Sequence, residues 1–108
     1  MGMNQNVVFP GEPPSWPAVA KLLADKGCPV QMRMIDGELA FPDETPPDTW
    51  REIRVAAAGA MVTIRRQPNQ VVLVAWGNAD DNQRALWNAL AATWAEAGGG
   101  IVQAAGPE

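Results

Sequence analysis

The chain has no histidine, no tyrosine, one cysteine, one serine and only two lysines. Without histidine it lacks the usual general base, the Ser–His and Cys–His nucleophile pairs and the commonest metal ligand. A single cysteine makes no internal disulfide and no thiolate cluster for zinc or iron–sulfur chemistry, which is the usage of a reducing, cytosolic compartment. Cys28 follows Gly27 at the C-terminal end of an expected helix, where the dipole disfavours a thiolate, so it reads as a structural residue. Long apolar runs are also missing: none approaches the roughly 20 residues that cross a bilayer, and MGMNQNVVFPG has neither the basic nor the apolar region of a secretory signal. The expectation is a cytoplasmic protein with no membrane role.

Positive charge is scarce. Eight basic residues against twelve acidic ones leave a net charge of −4, so the surface as a whole repels phosphate backbones, and nucleic acid is not an expected partner. The wealth of Ala, Gly, Pro and Arg beside so little Lys points to a GC-rich, bacterial genome. What the chain does have is ordinary for a globular domain: 108 residues, 47% of them apolar and 19% charged. One domain over residues 1–108 is expected, with loose ends at 1–5 and 104–108.

Two helices are legible. Ser15 precedes Trp16-Pro17, a cap followed by a proline at a position that needs no N–H, and Trp16, Val19, Leu22 and Leu23 recur at helical spacing up to Gly27, which predicts a helix over 16–26. Leu86, Trp87, Leu90, Ala91, Trp94 and Ala97 share one arc of a second helix, begun by Asp80 or Asp81 and ended by Gly98 to Gly100.

Between the helices the period drops to two. Val30, Met32 and Met34 alternate with Gln31 and Arg33, then Asp36-Gly37 makes a hairpin turn into an arm carrying Leu39 and Phe41. Residues 42–49, PDETPPDT, form a loop. Strand material resumes in WREIRVAAAGAMVTIRR, with Gly59 as a bend or bulge, and in QVVLVAW after the turn QPNQ. Short strands at 7–9 and 101–103 complete an α+β fold: a two-layer sandwich with two amphipathic helices on one face of a mostly antiparallel sheet of about four to six strands.

No motif carries a specific chemistry. The segment GNADDN ahead of the second helix has no phosphate-loop pattern, its two aspartates would repel an anion, and EF-hand spacing is absent, so capping accounts for it and no metal is expected. The carboxylates Asp43, Glu44 and Asp48 lie on a proline-rich loop that makes no pocket by itself. Arg33, Arg54 and Arg65 are placed on the outer sheet face, where Gln31, Glu38 and Thr63 offer none of the aromatics that stack on bases, and where Glu52 offsets part of the charge.

Of the five tryptophans, Trp16, Trp87 and Trp94 fall on core arcs, while Trp50 and Trp76 stand at strand ends and are the candidates for exposed anchors. The partner-binding candidates are therefore Trp50, Arg51, Arg33, Arg54 and Trp76. The expected function is a small non-catalytic protein-interaction module that self-associates, as a homodimer, through a sheet edge or a Trp-containing patch. The competing reading is a small-molecule-binding domain or carboxylate-based enzyme whose pocket is edged by Trp50, Arg51 and the 43–48 loop. Neither reading calls for a cofactor.

Overall fold

A computed structural model describes residues 3–57, 59–75 and 80–107. Seven strands and two helices follow one another as β1 (Met3–Val8), α1 (Trp16–Asp25), β2 (Gln31–Ile35), β3 (Glu38–Leu39), β4 (Glu52–Ala57), β5 (Ala60–Gln67), β6 (Gln70–Ala75), α2 (Asp81–Gly98) and β7 (Ile101–Pro107). All strand pairs are antiparallel, and the sheet order is β3-β2-β4-β5-β6-β1-β7. Among the described residues no helix is long and apolar enough to cross a membrane.

The helix ends are where local chemistry puts them. Ser15 accepts a hydrogen bond from the backbone N–H of Ala18, with Pro17 in the first turn of α1. Asp80 accepts from Gln83 N at 2.8 Å and caps α2, which stops at Gly99 in the left-handed conformation (φ 65°). Leu86, Leu90, Ala91 and Trp94 are buried, and Trp87 packs against them with its Nε1–H donating to the Leu73 carbonyl at 2.9 Å. The turn Asp36-Gly37 has positive φ at both residues, the conformation that follows the strand twist in a two-residue hairpin.

On the helix-covered face, cross-strand neighbours form continuous rows. Ile35, Ile53, Ile64 and Leu73 make one, ending on β1 at Gln5; Met32, Val55 and Val62 make another. All these apolar residues are buried. Each such burial is worth about 1.5–3 kcal/mol, which makes the rows the main source of stability in the sheet. Gln5 is polar, but its Nε2 donates to Asn88 Oδ1 on α2 at 2.9 Å, so it clips the sheet to the helix. The helices cover the sheet unequally. α2 packs on β5, β6, β1 and β7, whereas α1 packs chiefly on α2. Lys26 at the end of α1 pairs with Glu96 of α2 at 2.7 Å and donates to Thr93 Oγ1.

Four expectations need correction. The sheet has seven strands rather than four to six, because Gly59 (φ 81°) belongs to a hairpin turn that pairs Ala57 with Ala60 and separates β4 from β5. Of the expected loose ends, residues 3–5 and 104–107 are strand: Met3–Val8 lies between β6 and β7, and Ile101–Pro107 pairs with it, while residues 1, 2 and 108 lie outside the described residues. Met34 does not join Met32 on the core face. A register shift between Met32 and Met34 marks a β-bulge at Arg33 that sends Met34 to the other side, opposite Arg54. Finally, Thr63 is almost fully buried although it faces away from the helices, in a cross-strand row with Arg54 and Val74.

Candidate functional site

Two corners of the molecule gather the residues that could serve a partner or ligand. The first is built on tryptophan. Trp94 of α2 is ringed by Phe9, Trp16 and Trp50, with ring centroids 6.4, 6.1 and 6.1 Å away. These distances suit tilted and edge-on aromatic contacts. Gly98 and Gly100 let Phe9 approach α2, since a Cβ on Gly98 would stand 2.6 Å from the Phe9 ring. Trp50 is only 2% exposed, and the Arg66 guanidinium lies over its ring at 4.8 Å while donating to the Asp48 carbonyl at 2.6 Å. The indole proposed as an exposed anchor is thus a core residue with an arginine for a lid.

A cleft of about 360 Å³ does run along this corner, lined by Glu12, Pro13, Asp48, Trp50, Arg51 and Arg66 among others. It presents two carboxylates and two guanidiniums to solvent and almost no indole. Of the loop carboxylates only Asp48 reaches it. Asp43 and Glu44 do not line it, and Glu44 is turned onto its own loop, accepting from Phe41 N at 3.2 Å.

The second corner lies on the opposite face of the sheet, where the β2 bulge exposes a groove of about 410 Å³. Met32, Met34, Leu39, Ala40, Pro42 and Met61 make its apolar lining, with Arg33 and Arg54 as the charged members. A second concavity, lined by Gln31, Ala56 and the β4–β5 turn, shares Arg33 and Met61 with it and extends the trough. Met61 is held in place by Gln83 of α2, whose Oε1 accepts from Met61 N at 3.1 Å and whose Nε2 donates to Met61 O. Arg33 is exposed and Arg54 half-buried, and neither forms an ion pair with a described residue. Arg65, by contrast, is bonded to Glu52 at 2.9 Å.

One carboxylate joins the two corners. Asp36, in the β2–β3 turn, accepts from the backbone N–H groups of Glu52 (3.0 Å) and Arg51 (2.8 Å). Those two bonds, helped by the positive charges of Arg51 and Arg66, hold its pKa below the usual carboxylate value. Its role is to fasten the hairpin turn to the start of β4.

The remaining candidates fall away from any site. Trp76 and the Gly77, Asn78 and Ala79 of GNADDN lie outside the described residues, and Asp80 is the α2 cap. Cys28 is half-buried against the core. Among the described residues no group of three or more His, Cys, Asp and Glu side chains could hold a metal ion. The groove residues Met34 and Met61 escaped sequence reading because strict alternation assigned Met34 to the core. Leu39 and Phe41 do lie on an arm along β2, which runs on past β3 through bonds from Ala40 N to the Arg33 carbonyl and from Met32 N to the Pro42 carbonyl, but both side chains stand in solvent. Arg66 over Trp50 gave no local signal. Compared with known proteins, the chain matches no protein-family model, no curated protein and no solved structure.

Proposed function

We propose that this protein is a small, non-catalytic protein-interaction module that self-associates through an exposed end of its sheet. The observation that carries the reading is where large apolar side chains are left in solvent. At one end stand Leu39 and Phe41, 88% and 74% exposed, with Met61 nearby; at the other, on the edge strand β7, stand Ile101 and Val102. A monomer has no use for apolar surface concentrated at two places on one sheet, and such patches mark association surfaces. The edge β7 adds seven residues without a charge among them, unlike edges that natural proteins protect with lysine. The lack of histidine in the sequence supports the non-catalytic part. Sedimentation velocity across a wide concentration range tests it: the reading expects a mass that rises with concentration, and a monomer throughout would overturn it.

A second reading is favoured by one feature, the polar cleft of Glu12, Asp48, Arg51 and Arg66, which could take a small zwitterionic or anionic ligand. It expects a ligand at about 100 times its Kd to stabilise the fold by roughly 2.7 kcal/mol. A thermal-shift screen against amino acids, nucleotides and organic acids in which no compound moves the midpoint would set this reading aside.

A further inference from the structure

We infer that two copies of this chain dock through the β2–β3 corner about a two-fold axis, each placing Phe41 in the other's Met34–Leu39–Met61 groove with Asp43 and Glu44 against Arg33 and Arg54. This rests on the self-association proposed above and names its surface. The groove and its occupant are neighbours on one molecule. Pro42 forms part of the groove wall, and Phe41, Asp43 and Glu44 flank it in the chain. The segment is folded back on itself, Glu44 N donating to the Phe41 carbonyl at 3.0 Å and Phe41 N donating to Glu44 Oε1, so the Phe41 ring is presented outward rather than tucked under. One patch therefore carries an apolar groove with two cations that have no ionic partner among the described residues, beside an apolar prong with two anions. A two-fold contact requires a surface that complements itself in this way, because whatever one copy offers it must also receive.

Charge argues for a second copy with the same force. On a chain of net charge −4, like copies repel, and they approach only where basic and acidic groups are placed to face each other. Arg54 is half-buried without an ionic partner among the described residues, a position that a carboxylate from outside would complete. Burying a phenylalanine from each copy supplies the apolar contact, about 150–250 Å² per ring. The β7 edge, at the far side of the sheet, takes no part.

The test is charge exchange. Sedimentation velocity is run on the native protein, on Arg33→Glu with Arg54→Glu, on Asp43→Lys with Glu44→Lys, on an equal mixture of these two variants, and on Ile101→Lys with Gln103→Lys. Circular dichroism confirms that each is folded. The expected result is a native dimer, two monomeric charge variants, a mixture that dimerises again because both halves of the contact are restored, and a β7 variant that dimerises like the native chain. A mixture that stays monomeric, or charge variants that dimerise unaided, overturns this surface. If only the β7 variant becomes monomeric, self-association stands and its place is the edge. A native protein that is monomeric at every concentration overturns both readings.

Discussion

The Trp50 corner and the β2–β3 corner use the same kinds of residue, an aromatic ring beside arginine and carboxylates, and spend them differently. At the first, Arg66 covers Trp50 and bonds the Asp48 carbonyl, and the ring is buried against Trp94. At the second, Phe41 stands in solvent while Arg33 and Arg54 have no ionic partner among the described residues. Aromatic and arginine content alone does not identify a docking surface. What separates the two is whether the chain has already satisfied its own groups.

The largest effect should come from breaking the buried corner. Trp50→Ala removes a fully packed ring and is expected to cost about 3–5 kcal/mol, read as a lower midpoint in chemical denaturation. Arg66→Ala at the same corner uncovers the ring and loses the bond to Asp48, for about 1–2 kcal/mol. Asp36→Asn, at the link between corners, should cost about 1 kcal/mol at pH 7 by weakening the charge-assisted bonds from Arg51 and Glu52. Because the folded pKa of Asp36 lies below its unfolded value, near 3.9, the stabilisation is present above that value and is lost as pH falls through the folded pKa. Unfolding midpoints of native protein and Asp36→Asn should therefore converge in strongly acidic buffer; a gap that stays constant with pH would place the effect elsewhere. The smallest effect on stability is expected for Phe41→Ser, within about 0.5 kcal/mol of the native chain. That variant should nonetheless lose the dimer, so stability and association respond in opposite order at the two corners.

Much of the frame was legible in the sequence because it rests on local chemistry. Ser15 and Asp80 cap helices through N–H groups three residues on, and Asp36-Gly37 makes its turn with the φ values its residue types tolerate. β1 was not legible as a full strand: MNQNVV does not alternate, and Gln5 is acceptable on the core face only because Asn88, 83 residues away, receives its N–H. The bulge at Arg33 is likewise set by pairing with β4, and it converts a regular alternation into a core methionine and a groove methionine. Arg33 and Arg54 are legible as residues of one outer face, whereas the alternation of Leu39 and Phe41 marks an arm along β2 without showing that both side chains stay in solvent. Trp50, an anchor candidate for standing at a strand end, is buried with partners from two separate segments, Trp94 of α2 and Arg66 of β5, that no short window contains.

The most direct test of the contrast is a dilution series of amide NMR spectra. The account predicts concentration-dependent shifts in residues 31–35, 39–44, 54 and 61, with Trp16, Trp50 and Arg66 unmoved. Shifts centred on residues 12–16, 48–51 and 66, or spectra that do not change with concentration, would contradict it.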